Sequence, residues 1–185
     1  QAVSRMDVLL RNYRERGGDE KGLAELLALR GVVLERMDDR VGARRDYLKA
    51  LRVDAKCEEA LYNLGCLLIN EQEWRAAKDA LDKALVLRPM NEFALLNRSV
   101  VFYHLKNPAE ALKDLDKVIS LKPKLGHAFL NRGVIQLELG RKAQAERDLT
   151  TAVALLGASK TTIEARLKLF VGNHAHQQAM RDVAV

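Results

Sequence analysis

The chain has 185 residues, of which 48% are apolar and 30% charged, and a formal net charge of +6. That balance suits one folded domain or a short repeat array and excludes disorder over most of the length. The longest apolar runs, such as 152–156, fall far short of the roughly 20 residues that a membrane span needs, so no transmembrane segment is expected.

The opening stretch QAVSRMDVLLRNYRERG does not read as a secretory signal, because charges interrupt its only apolar patch. A start at Gln1 instead of methionine suggests a piece excised from something longer. The positive charge is dispersed: Arg44-Arg45 follow Asp38-Asp39, and Lys78 and Lys83 mix with Asp79 and Asp82. A nucleic-acid reader needs a concentrated basic stripe with stacking aromatics. One Trp, four Tyr and four Phe, several of them at core places, leave little for that. Cys57 and Cys66 are poorly placed for an internal disulfide and read as reduced thiols, which points to a cytoplasmic location. The sequon Asn97-Arg98-Ser99 falls inside a predicted helix and reads as coincidence.

In chain order, Val3 to Arg16 reads as a helix with Met6, Leu9, Leu10 and Tyr13 on one side, ended by Gly17-Gly18. Residues 1–23 are thus the remnant of a preceding repeat or an end cap. Asp19 opens the next helix, which carries Leu23, Leu26, Leu27, Arg30 and Gly31. From there the chain repeats itself at a constant offset of 34 residues. Gly65 falls on Gly31, Ser99 and Gly133; Ala77 on Ala43, Ala111 and Ala145; Leu81 on Tyr47, Leu115 and Leu149; Pro89 on Ala55 and Pro123. Within 58–91, Leu61, Leu64 and Leu68 recur at helical spacing, break near Glu71 to Glu73, and resume at Ala77, Leu81, Ala84 and Leu85. Each repeat is therefore a helical hairpin, with its small residues where the two helices cross. Pro89 and Pro123 stop second helices, and Pro108 starts one at the place where a missing N–H costs nothing. Trp74, at the start of a second helix, reads as core. After Gly157, Thr161 to Glu164 looks like a capping box opening a helix with Ile163, Leu167 and Phe170 on one face.

A period of 34 with small residues at the eighth and twentieth places, an aromatic or leucine at the twenty-fourth and a proline at the thirty-second resembles the tetratricopeptide repeat. The resemblance covers four contiguous repeats, 24–57, 58–91, 92–125 and 126–159, with 160–185 as carboxy-terminal capping helices. It implies an all-α, right-handed superhelical solenoid of antiparallel hairpins, capped at both ends.

The resemblance also implies where ligands bind: the first helices line a concave groove. The places facing it hold Glu25, Ala28, Leu29, Val32, Glu35 and Arg36 in the first repeat and Glu59, Tyr62, Asn63, Cys66, Ile69 and Asn70 in the second. In the third they hold Phe93, Leu96, Asn97, Val100, Tyr103 and His104, and in the fourth His127, Leu130, Asn131, Val134, Leu137 and Glu138. Asparagine recurs at the sixth place as Asn63, Asn97 and Asn131. An amide both donates and accepts, so such a ladder fits the peptide units of an extended ligand, with Tyr62, Phe93 and Tyr103 as apolar anchors. The plainer alternative is that these amides solvate the inner wall. Arg30, Arg98 and Arg132 share the seventh place, where an arginine lays its stem along a neighbouring hairpin and sends its charge to the edge. The family's clamp for chaperone carboxy-terminal tails needs lysine and asparagine at the fifth and ninth places of one repeat. It needs asparagine at the sixth of the next, then lysine and arginine at the second and sixth of a third. In either register only the middle asparagine is present, Asn63 between Ala28, Val32, Phe93 and Asn97, or Asn97 between Tyr62, Cys66, His127 and Asn131. This argues against chaperone tails.

Nothing points to catalysis: there is no glycine-rich phosphate loop and no nucleophile elbow. His174 and His176 lack a third ligand at metal spacing, so neither metal nor cofactor is expected. The sequence thus reads as a non-catalytic adaptor that holds a peptide or partner helix, without nucleic acid or membrane. The alternatives are the docking arm of a larger enzyme or motor complex, and a self-associating module that forms a homodimer.

Overall fold

The computed structural model describes residues 2–157, and the capping helices expected over 160–185, with His174 and His176, lie outside them. Among the described residues there are nine helices and no strand. The chain divides into two compact units, residues 1–94 and 95–185. The amino-terminal unit holds α1 (Ala2–Glu15), α2 (Glu20–Arg36), α3 (Arg40–Val53), α4 (Glu58–Asn70) and α5 (Trp74–Leu87). The carboxy-terminal unit holds most of α6 (Glu92–His104), then α7 (Pro108–Leu121), α8 (Gly126–Glu138) and α9 (Lys142–Leu156).

The helices start and stop for local reasons. The Asp19 carboxylate accepts from the Gly22 N–H at 2.7 Å and Asp39 from the Gly42 N–H at 2.8 Å, each satisfying a first-turn donor that the helix leaves unpaired. Asn91 caps α6 the same way, accepting from Phe93 and Ala94 at 3.1 and 3.0 Å. α7 begins on Pro108, as its spacing predicts. Each first helix ends in a turn whose pivotal residue has left-handed backbone: Asp38, Gln72, Lys106 and Gly140, with φ of 61, 60, 59 and 72°. In every case the following N–H reaches back to a carbonyl in the last helical turn, Asp39 to Leu34, Glu73 to Leu68, Asn107 to Phe102 and Arg141 to Gln136, at 2.8–2.9 Å. That bond pattern reverses the chain in three residues and sets the second helix antiparallel to the first.

The hairpins close on small residues. Ala43, Ala77, Ala111 and Ala145 are completely buried, as are Ala50, Ala84 and Ala152. A Cβ built on Gly65 would stand 2.8 Å from Leu81 Cγ, and one on Gly133 2.9 Å from Leu149 Cγ. A Cβ on Gly31 would meet the Tyr47 ring at 2.5 Å. Glycine therefore lets a leucine or tyrosine of the second helix lie against the first helix's backbone. In the third hairpin Ser99 takes this place; its hydroxyl bonds back to the Leu96 carbonyl at 2.6 Å and is completely buried over it. Burying each such leucine contributes about 1.5–3 kcal/mol.

Two expectations change here. Leu9 does not join the buried face of α1: Met6 and Leu10 are buried, while Leu9 is 51% exposed. Trp74 is half-buried at the first turn of α5 and not part of the core proper.

Candidate functional site

The candidate ligand face is the side of each first helix that turns away from its own hairpin. In α4, Leu61, Leu64 and Leu68 are buried, which rotates Tyr62, Asn63 and Cys66 to a half-buried position and leaves Asn70 exposed. Among the described residues no side-chain hydrogen bond occupies the Asn63 amide. At the far end of this unit Phe93 is 54% exposed on the first turn of α6. Its position is held from below: Asn91, besides capping α6, donates to Glu58 at 2.8 Å, and Arg88 reaches Glu58 and Glu59 at 3.4 and 3.1 Å. Asn91, Glu58 and Arg88 belong to no sequence expectation, yet they fix the entry of α6.

In the carboxy-terminal unit Asn97 on α6 and Asn131 on α8 are half-buried at equivalent places, as is His127 on the first turn of α8. Leu130 and Val134, expected at the groove centre, are core residues at 4% and 1% exposure. Tyr103 is also core, at 6% exposure, and its hydroxyl donates to Glu138 on α8. It therefore serves as a tie between α6 and α8. Burial and the Glu138 carboxylate push its phenol well above the ordinary range. His104 packs edge-on against the Tyr103 ring, centroids 5.3 Å apart and planes at 79°, and the Lys106 ammonium sits 5.8 Å from that ring. Burial first, and then Lys106, lower the His104 pKa, opposed by Glu138, so the imidazole is neutral at ordinary pH.

The seventh-place arginines differ from expectation. Instead of reaching an edge, each turns into its own hairpin and grips an aspartate 16 residues later with two nitrogens: Arg30 to Asp46 at 2.5 and 2.7 Å, Arg98 to Asp114 at 2.8 and 2.7 Å, Arg132 to Asp148 at 2.7 Å twice. The three aspartates are buried. Arg30 also reaches Asp7 on α1, and Arg132 reaches Asp116 on α7 at 2.7 Å, so both tie consecutive helix pairs together. The hydrogen-bonded carboxylates hold both guanidiniums charged and far above the ordinary arginine range. The signal was legible as a second column, Asp46, Asp114 and Asp148, at a constant distance from the first. These arginines are structural.

Among the described residues no group of three or more His, Cys, Asp or Glu is placed to hold a metal ion. Neither Cys57 nor Cys66 is in a disulfide; Cys57 is buried, and that burial raises its pKa. No described helix is long and apolar enough to cross a membrane.

Residues 62–125 match the family model described as the tetratricopeptide repeat. A stretch of 83 residues, 45% of this chain, is 35% identical to Tetratricopeptide repeat protein 6 of Homo sapiens and spans 16% of that protein's length. Among solved structures, the crystal structure of MamA superposes with a TM-score of 0.70 at 24% identity, over 82% of this chain and 89% of that one. YrrB, titled a TPR protein with an unusual peptide-binding site, gives a TM-score of 0.72 at 17% identity, over 99% and 91%. At such identities these likenesses speak to the fold alone. Residues 62–125 thus resemble the tetratricopeptide repeat in sequence, and the described residues share the fold of a solved tetratricopeptide-repeat protein.

Proposed function

We propose that this chain is a non-catalytic adaptor that binds an extended peptide or a partner helix along its first helices, gripping it through Asn63, Asn97 and Asn131. The observation that carries this reading is the placement of the three amides. Each is half-buried on the outward side of a first helix whose other side is packed into its hairpin. Among the described residues neither Asn63 nor Asn131 has a side-chain hydrogen-bond partner. An amide held on a rigid helix with donor and acceptor unspent is suited to a peptide bond, because both of its groups can be satisfied at once. Tyr62 and Phe93 supply apolar contact beside the amides, with His104 and His127 as polar neighbours; Asn70, exposed at the end of α4, extends the row. Tyr103 supports this face from beneath.

The fold's general role as a protein-interaction scaffold fits this reading, but the ligand is decided by side chains and not by the fold. A random peptide library selected on the wild-type chain yields a probe whose affinity is then measured for an Asn97→Ala, Asn131→Ala double variant. We expect a loss of at least about tenfold, which corresponds to roughly 0.7 kcal/mol per lost amide pairing. Unchanged affinity in a variant with wild-type helicity would sink the amide ladder.

A further inference from the structure

We propose that a basic cleft between α1 and α3, apart from the amide face, is a site for a small anion of two or three linked phosphates. Its volume is about 340 Å³, at the small end of the range for ligand pockets. Buried Leu10 and Leu27 and half-buried Arg30 form the floor. Exposed Arg11 and Arg14 of α1 and Lys49 of α3 form the walls, with Asp7 and Glu15 beside them. α2 contributes Leu27 and Arg30, neither of which stands at a groove-facing place.

Four cations meet two acids here, and the acids do not neutralise them. Asp7 is engaged by Arg30, which Asp46 already holds. Among the described residues Arg11, Arg14, Lys49 and Glu15 make no ion pair. Arg11 and Arg14 lie one turn apart on the same side of α1, and Lys49 faces the cleft from another helix. Guanidinium forks pair with two phosphate oxygens at once and the ammonium adds a point charge, so linked phosphates can use all three. No aromatic lines the cleft, which leaves nothing for a nucleic-acid base to stack on. Glu15 on the wall would oppose a flat anionic membrane but leaves room for a small anion below it.

Three repeats along, the carboxy-terminal unit carries the same places in a self-satisfied form. Arg132 is the counterpart of Arg30, and the acid that meets it at 2.7 Å is Asp116, which stands at the place of Arg14. Thr151 stands at the place of Lys49. In the first cleft the closing acid is instead Asp7, about two turns earlier on α1. Satisfying the floor arginine therefore accounts for Asp7 and leaves Arg14 and Lys49 unexplained, whereas an anionic ligand accounts for both. The exposure of the α1 wall does not depend on what precedes α1. The counterparts of Arg11 and Arg14 are exposed on later second helices too, as Arg45 and Leu48 on α3 and as Lys113 and Asp116 on α7.

The test is calorimetric titration of the whole chain with inorganic tripolyphosphate at low salt, with citrate as the carboxylate control. Saturable binding at a single site is expected, at least about tenfold tighter than citrate. An Arg14→Asp, Lys49→Thr double variant copies the carboxy-terminal solution at two exposed positions and should lose at least about tenfold in affinity with wild-type helicity. Glu15→Gln should tighten binding by about twofold or more, since it removes the one wall acid that no cation engages. Arg52→Ala, an exposed arginine of α3 outside the cleft, should leave affinity unchanged. So should the Asn97→Ala, Asn131→Ala variant, which separates this site from the amide face. No saturable binding, equal affinity for citrate, or no loss in the double variant would overturn the proposal. So would a loss from Arg52→Ala as large as that of the double variant, which would mean diffuse attraction to a basic surface.

Discussion

The α4–α5 hairpin and the α8–α9 hairpin close on the same backbone contact, yet they differ completely one residue away from it. In both, a glycine takes a leucine of the second helix, Gly65 with Leu81 and Gly133 with Leu149. Beside that contact α8–α9 carries the Arg132–Asp148 pair, whereas α4–α5 carries Leu64 and Ala80 at the same places, both 7% exposed. The ion pair is therefore not what brings the helices together. The glycine and leucine fix the spacing, and the neighbouring rung is filled either by two charges that satisfy each other or by two apolar groups.

If so, the largest effect should come from the shared contact. Leu81→Ala and Leu149→Ala each remove a buried side chain from a rigid crossing that cannot collapse around the gap. Each should cost about 3 kcal/mol of stability in urea unfolding, by similar amounts in the two hairpins. A much smaller loss in α8–α9 would mean that its ion pair holds the crossing by itself.

The next effect distinguishes the rungs. Asp148→Ala leaves the Arg132 guanidinium in a site where only Asp116 remains, and should cost about 2 kcal/mol. Copying the α4–α5 solution with Arg132→Leu and Asp148→Ala together should bring the loss back to within about 1 kcal/mol of wild type, because no buried charge is then stranded. A double variant as weak as the single one would show that the pair contributes net stability here.

A smaller effect is expected in the turns. Asp38, Gln72 and Lys106 hold the left-handed backbone that Gly140 holds without steric cost. Placing glycine at Lys106 should stabilise the chain by about 0.5–1 kcal/mol, and alanine at Gly140 should cost a similar amount, both readable as shifts of the unfolding midpoint.

How far these features were legible in the residues depends on whether a side chain carries its own signal. The hairpin period was legible because glycine and alanine at a crossing cannot be exchanged for larger residues, so their column stands out. The left-handed turns were legible only at Gly140; aspartate, glutamine and lysine adopt that conformation because a helix must end there, and nothing in their chemistry announces it. Tyr103 was misplaced because a groove place and a core place share one helical period. Glu138, 35 residues on, decides between them by accepting the hydroxyl. The arginine column was seen and its meaning missed, since an aspartate 16 residues away in a different helix is invisible to any search within one helix.

The smallest predicted effect concerns His104 and sharpens the contrast between the ion-paired rungs and the amide face beside them. Burial and Lys106 disfavour the imidazolium in the folded chain, so its folded pKa lies below the ordinary value near 6.5. The unfolded chain then binds the proton first as pH falls. The stability linked to this group is complete above about pH 6.5 and is lost as pH drops through that value toward the folded pKa. Replacing His104 by glutamine should flatten the stability profile between about pH 7.5 and 5.5, the window set by the ordinary histidine value. Glu138→Gln should steepen it, because that carboxylate is the one group that favours the charged ring, while the amide oxygen can still accept the Tyr103 hydroxyl. An unchanged slope in both variants would mean that His104 is hydrated well enough to titrate as it does in the unfolded chain.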